Sequence, residues 1–362
     1  SVFQYDNVNN KKLRITGPIH QGDFTYTNLS PSDETHAGWN LLGNVYASPI
    51  RWGEEGWQRN DVMDMVAVRV NSGPQPGGVK YYIPSTQTGD QDFAGVIAPG
   101  QSFWVRASGS EPSIVVTEDA KVNENDISFY RQRGPVNQLM VSLSRGQVQD
   151  KAYIHFGEES TDAIDAKFDA PKRSNDYFNL STVVDAKDFA INSMSLEFCQ
   201  KRIPINISNT TAGSYKLAFE HIGTFEFEPE MALVDHLTSE ELVVNDGFEY
   251  AFNITSDPAT FGKDRFELIV KKAPVNPETN FQLSTSSFCN SSDLPIVTIA
   301  NSQKGVLYHV VSQSDTLQTL VGTGGSIQAA INVAKLPIAA HNVQILARNK
   351  GCETVTLAHS ES

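Results

Sequence analysis

The stretch GWNLLGNVYASPIRW, residues 38–52, packs two tryptophans, a tyrosine, a proline and two Gly/Asn-marked turns into one short segment. It holds no His, Cys or acidic residue, so it lacks the donors of a catalytic or metal motif. Read as backbone, it is a strand bounded by turns. Gly38 and Gly43 mark strand ends, where a residue without Cβ tolerates positive φ. Asn40 and Asn44 are expected to cap the turns through side-chain to backbone bonds. Trp39, Leu41 and Tyr46 are expected to fill a core, and Pro49 stands where the strand leaves its sheet. The segment reads as a folding signature of a β protein.

Outward from it, alternation of period two recurs along the chain. It places Tyr215, Leu217 and Phe219 on one strand face, and Ile327, Ala329, Ile331 and Val333 on another. Val343, Ile345 and Ala347 repeat it. Asp246-Gly247 in LVVNDGFEYAF predicts a two-residue hairpin. Short β-rich runs parted by Gly, Pro, Asn and Asp predict an all-β chain of tandem β-sandwiches.

A single core rarely grows past about 250–300 residues, so 362 residues call for more than one domain. The proline-bearing run KKAPVNPETN, 271–280, reads as a linker. The expected domains are 1–115, 116–272, either separate from the first or continuous with it, and an immunoglobulin-like 273–362. The 28 Lys and Arg against 42 Asp and Glu give a net charge of −14. Nucleic acid is therefore not an expected partner, since its binding rests on cations meeting phosphates. No apolar run reaches the ~18 residues of a membrane span. The start lacks both Met and an apolar leader, and the chain is expected to be a piece of a longer protein.

The three cysteines include no CxxC pair, which argues against zinc. Cys289 and Cys352 lie near the two ends of the last domain. Their pairing would contribute about 4 kcal/mol by loop closure, with Cys199 left as a buried thiol.

GWNLLGNVYASPIRW, IAPGQSFWVRA, NQLMVSLSRGQVQDKAYIHFGEESTDAIDAKFDAPK, ALVDHLTSEELVV and DRFELIV stand in this order between residues 38 and 270. In that order the chain resembles large secreted proteins of Bacteroidetes that use the type IX secretion route. Val45 stands where the usual form has proline. The last ninety residues resemble the immunoglobulin-like repeats of the same giants, through LPIVTIANSQKGVLYHV and NKGCETVTL. The resemblance implies an extracellular or cell-surface location. It also implies partners among the secretion machinery, a surface ligand or other domains of the same chain, with the fragment itself monomeric.

No motif assembles a catalytic site. A GxSxG elbow and an HExxH are both missing, and the eight His are scattered. His155 is expected on a sheet surface, and GTGG at 322–325 is expected to be a turn. Asp162, Asp165 and Asp169 form the best calcium candidate, as hard oxygen ligands within one loop. Asp90 with Asp92, and the run 123–128, are weaker ones. Trp52 and Trp57, with Tyr81 and Tyr82, are the candidate carbohydrate platform. The expected function is a non-catalytic section of a secreted or surface-displayed multidomain protein, acting in spacing, display or adhesion. The alternative is an ancillary, carbohydrate-binding module of a secreted hydrolase.

Overall fold

The computed structural model describes residues 18–33, 37–53, 55–70, 77–122, 136–272, 283–285, 296–303, 306–312, 315–331, 343–349 and 354–361. These residues are all-β, with three single-turn 3-10 helices and no α-helix among them. No helix among them is long and apolar enough to cross a membrane. The chain divides into two units. Unit 1 is Ser1–Met194, Ile203–Glu226 and Val234–Glu267; unit 2 is Ser195–Arg202, Phe227–Leu233 and Leu268–Ser362.

Unit 1 begins with ten short strands: β1 (Phe24–Tyr26), β2 (Trp39–Gly43), β3 (Ile50–Arg51), β4 (Trp57–Asn60), β5 (Val66–Arg69), β6 (Val79–Ile83), β7 (Thr88–Gly89), β8 (Val96–Ile97), β9 (Ser102–Arg106) and β10 (Ser113–Val116). They form a three-stranded sheet β1-β10-β4, a five-stranded sheet β2-β9-β5-β6-β7 and the pair β3-β8. Tyr46, Ile50, Trp52, Trp57, Phe103 and Ile114 belong to one buried cluster among them.

The opening motif folds as strand and turn, but its phase is shifted by one residue. Asn40 and Leu42 point inward, while Leu41 is 54% exposed and Trp39 only partly buried. Asn40 sets this phase. Its Oδ1 accepts from Ser30 N at 2.7 Å, and its Nδ2 donates to the Ser30 and Gly38 carbonyls, each at 3.0 Å. A side chain bridging two backbone segments has to lie between them, and the apolar neighbours alternate around it. Asn44 caps the next turn, accepting from Tyr46 N at 3.0 Å and donating to Ser48 O at 2.9 Å. Tyr46 is buried, and its hydroxyl donates to Gly22 O at 2.7 Å. Gly38 has φ +74°, and a Cβ there would meet Ala107 O at 2.9 Å, so the strand entry requires glycine.

The remaining strands up to the expected linker are β11 (Gln138–Arg145), β12 (Val148–Gly157), β13 (Ala170–Pro171), β14 (Asn179–Val184), β15 (Lys187–Ser195), β16 (Gln200–Ser208), β17 (Gly213–Glu220), β18 (Pro229–Asp235), β19 (Glu240–Val244), β20 (Phe248–Ile254) and β21 (Gly262–Lys272). They build one sheet of order β19-β18-β21-β16-β14-β15-β12-β11-β17-β20, with β13 beside β15. Parts of β16, β18 and β21 are counted with unit 2. On β17, Tyr215, Leu217 and Phe219 are buried as their alternation requires. Asp246-Gly247 is not a hairpin, because β19 and β20 stand at opposite ends of the sheet order. Instead Asp246 accepts from Ile222 N at 3.0 Å and Gly247 N donates to Phe219 O at 2.8 Å, so the turn docks on the end of β17.

A second buried cluster joins Met63, Met65, Tyr81 and Ile83 to Met140, Tyr153, Ala190 and Ile191. It draws on both sides of the boundary expected near residue 115. Two ion pairs are buried in unit 1: Asp150 with Lys172 at 2.6 Å, and, on β18 and β21, Asp235 with Arg265 at 2.9 Å.

In unit 2, β22 (Leu283–Thr285), β23 (Ile296–Ile299) and β26 (Ile327–Ala330) form one sheet. β24 (Val306–Ser312), β25 (Asp315–Val321), β27 (Val343–Asn349) and β28 (Thr354–Glu361) form another, in the order β25-β24-β27-β28. Ile327, Ala329 and Ile331 are buried with Val310, Ile345 and Ala347. The GTGG segment is a turn between β25 and β26. Cys199 is disulfide-bonded, which overturns its expected role as a free thiol. Cys289 and Cys352 lie outside the described residues.

Candidate functional site

The expected carbohydrate platform does not exist. Trp52 is 0% and Trp57 7% exposed, and their rings meet at 4.6 Å in the core. Each buried indole has found an acceptor: Trp52 Nε1 donates to Asp64 O and Trp57 Nε1 to Arg51 O, both at 2.7 Å. An indole N–H satisfied by backbone removes the obstacle to burying the ring. Tyr81 and Tyr82 are buried as well. A cleft of about 310 Å³ near these residues is lined by Arg59, Val62, Asp64, Ser85, Ala166 and Lys167. Arg59 and Asp64 of its lining pair at 2.9 Å, and Lys167 pairs with Glu159 outside it at 3.0 Å.

The acidic loop does not gather its carboxylates. Asp162 is exposed, while Asp169 is buried. Asp169 accepts from Asp165 N at 2.7 Å and from Ser193 N at 2.8 Å. Asp165 in turn accepts from Lys167 N at 2.8 Å. These carboxylates order the loop through backbone bonds, and no metal-holding group of three occurs among the described residues. Asp90 likewise turns inward, accepting from Tyr81 N at 3.0 Å and Tyr153 OH at 2.9 Å, and Asp92 pairs with Lys80 at the surface. The run 123–128 lies outside the described residues.

His155 is buried rather than on a sheet surface, with its Nδ1 against Ser193 Oγ. Ser193 Oγ also meets Ser160 Oγ at 3.1 Å. Burial pushes the His155 pKa down from 6.5 to about 4, and pushes Asp169 up from 3.8 to about 6. The two effects oppose each other. As pH falls from about 6.5 to 4, the unfolded chain takes a proton that buried His155 refuses, so stability drops. As pH rises from about 4 to 6, the unfolded chain releases a proton that Asp169 keeps, so stability again drops. Between pH 4 and 6 the two contributions to the slope are therefore expected to cancel in large part. Asp169→Asn is expected to unmask loss of stability on acidification, and His155→Gln a gain, each up to about 1.4 kcal/mol per pH unit. Urea melts at pH 4, 5 and 6 read the slopes; equal slopes in the two variants would disprove this opposition.

A partly exposed aromatic group lies elsewhere, on the five-stranded sheet where β2 is the edge strand, with Trp39 and Trp104 packed against the rim of the second buried cluster. There Trp39 stands opposite Arg106, Leu41 opposite Trp104 and Gly43 opposite Ser102. Trp39 and Trp104 meet edge to face at 6.5 Å. The Arg173 guanidinium stacks 3.6 Å over Trp104 and 4.9 Å from the Trp39 ring, and Arg106 lies 5.8 Å from the Trp39 ring. Arg106 Nε donates to Ala37 O at 2.9 Å, which orients its fork. All four side chains are partly buried, and Gly43 is exposed with open space where a Cβ would stand. In a chain of net charge −14 this is a local concentration of cations on aromatic rings.

A family model described as a domain of unknown function, DUF8693, matches residues 5–270. The chain belongs to this family. The match covers both buried clusters of unit 1 and every residue of the Trp39 face. No curated protein matches the chain, and no solved structure does.

Part of this face was legible in SFWVRA. Phe103 and Val105 alternate inward, which puts Trp104 and Arg106 together on the other side. Arg173 lies 69 positions beyond Trp104 in number only; nothing local marks it, and it reaches the rings through the turn after β13.

Proposed function

We propose that this chain is a non-catalytic section of a secreted or surface-displayed multidomain protein, acting in display and adhesion. The observation that carries the reading is the Trp39–Trp104 face. Trp39 and exposed Leu41 stand on the edge strand β2, and the partly buried Trp104, Arg106 and Arg173 flank them at the rim of the second cluster. Aromatic and arginine side chains with an exposed apolar neighbour are what contact surfaces concentrate. The type IX-like sequence pattern supports a surface location. Antibodies against the chain are expected to label intact cells of the source organism, or to find the protein in its medium. Confinement to the cytoplasmic fraction would sink the proposal. A second reading, an ancillary module of a secreted hydrolase, draws on the same face, because arginine-capped rings suit acidic sugars.

A further inference from the structure

We infer that the β2–β9 face binds an anionic polysaccharide bearing uronate groups; this rests on the adhesion reading and names the ligand class of the same face. Three features of the geometry point there. First, the floor is flat. Gly43 offers no side chain and open space above it, and Ser102 opposite is small. Leu41, 54% exposed, and Trp104 form the wall beside this floor. A sugar ring needs a shelf of this kind, flat and apolar on one side.

Second, the rings are not bare. Arg173 lies 3.6 Å over Trp104, in the pair next to the shelf, and Arg106 lies by Trp39 at the far end of the face, so the two guanidinia are spaced along it. A neutral sugar would want the ring faces themselves. A carboxylate instead meets the planar fork of an arginine, which matches its two oxygens.

Third, the charges are local. The chain is acidic overall, so long-range attraction to a polyanion is opposed rather than supplied by the whole molecule. Arg69, near this region on β5, already has a carboxylate partner in Asp176. Arg106 and Arg173 are thus the two cations, each lying against the tryptophan rings, that this face offers a ligand. Two cations suit the spaced single charges of a polyuronate better than the dense charge of a polysulfate.

Biolayer interferometry of the purified chain against immobilised polygalacturonate, dextran and dextran sulfate tests this. Binding to polygalacturonate is expected, weakened by added salt, with dextran not bound. Leu41→Glu and Arg106→Ser are each expected to weaken it at least tenfold. Leu41 is exposed, so its substitution keeps the test valid if Arg106→Ser fails to fold. Val243→Glu makes the same charge change at a 70% exposed site on β19 and is expected to leave binding unchanged. Equal loss in Val243→Glu would mean bulk charge and overturn the site. So would no binding to polygalacturonate, equal binding to dextran, or binding to dextran sulfate alone. Failure here, with cells still labelled at their surface, would refute the ligand and leave the display reading standing.

Discussion

Trp52→Ala is expected to lower the unfolding free energy of unit 1 by about 3–5 kcal/mol, the usual cost of deleting a buried aromatic. Trp52 is 0% exposed, rests on Trp57 at 4.6 Å and Phe103 at 6.0 Å, and lies under the Arg59 guanidinium at 4.6 Å. Its removal opens a cavity in the first buried cluster and strands the Asp64 carbonyl that its indole serves. The melting temperature is expected to fall by about 6–20 °C. Leu41→Ala, on the open face, is expected to stay within about 0.5 kcal/mol of the parent. Calorimetry of the two variants checks the contrast. A Trp52→Ala protein that melts with the parent would contradict the core position of this tryptophan.

Arg265→Met is expected to cost a further large amount, about 3–5 kcal/mol, because it leaves Asp235 buried without a counter-charge. Asp235 is 0% exposed and accepts from Arg265 Nη2 at 2.9 Å. The guanidinium also donates to Thr260 O at 2.6 Å and Asn253 O at 3.1 Å, and lies 4.7 Å from the Phe252 ring and 4.6 Å from that of Phe266. One residue thus ties the 260 turn and β20 to β18. The double variant Arg265→Met, Asp235→Leu removes both charges, and most of the loss is expected to return. What stays lost measures the two carbonyl bonds of Arg265 together with the bonds that Asp235 accepts from Leu237 N and Tyr250 OH, each at 3.0 Å. Denaturant melts of the four proteins of the cycle give the coupling. A double variant as unstable as the sum of its singles would show that the pair itself contributes nothing.

These two side chains also show what a linear reading reaches. Alternation placed Tyr215, Leu217, Phe219, Ile327, Ala329 and Ile345 correctly, because a strand with one buried face has only two phases and the apolar set selects one. The all-β class followed from the same periodicity. The phase of β2 did not, since Trp39, Leu41 and Leu42 are all apolar and either choice buries a leucine. Asn40 broke the tie through bonds to Ser30 and Gly38 that exist only once the loop has closed.

Composition along the chain determined that this protein is β-structured, acidic and turn-rich, and where most inward side chains fall. It also located the turns at Asn44 and at 322–325. Tertiary structure alone decided which aromatics are interior. Trp52 and Trp57 sit beside polar residues, yet backbone carbonyls at 2.7 Å let both indoles sink, while Trp39 was left at an edge. It decided that Cys199 is bonded, that Asp246-Gly247 joins opposite ends of a sheet, and that Arg173 stacks on Trp104. The physical reason is common to all of these. Periodicity is a property of neighbours along the chain, whereas burial of a polar tip, pairing of sulfurs and stacking of a cation depend on partners that only long-range strand pairing supplies.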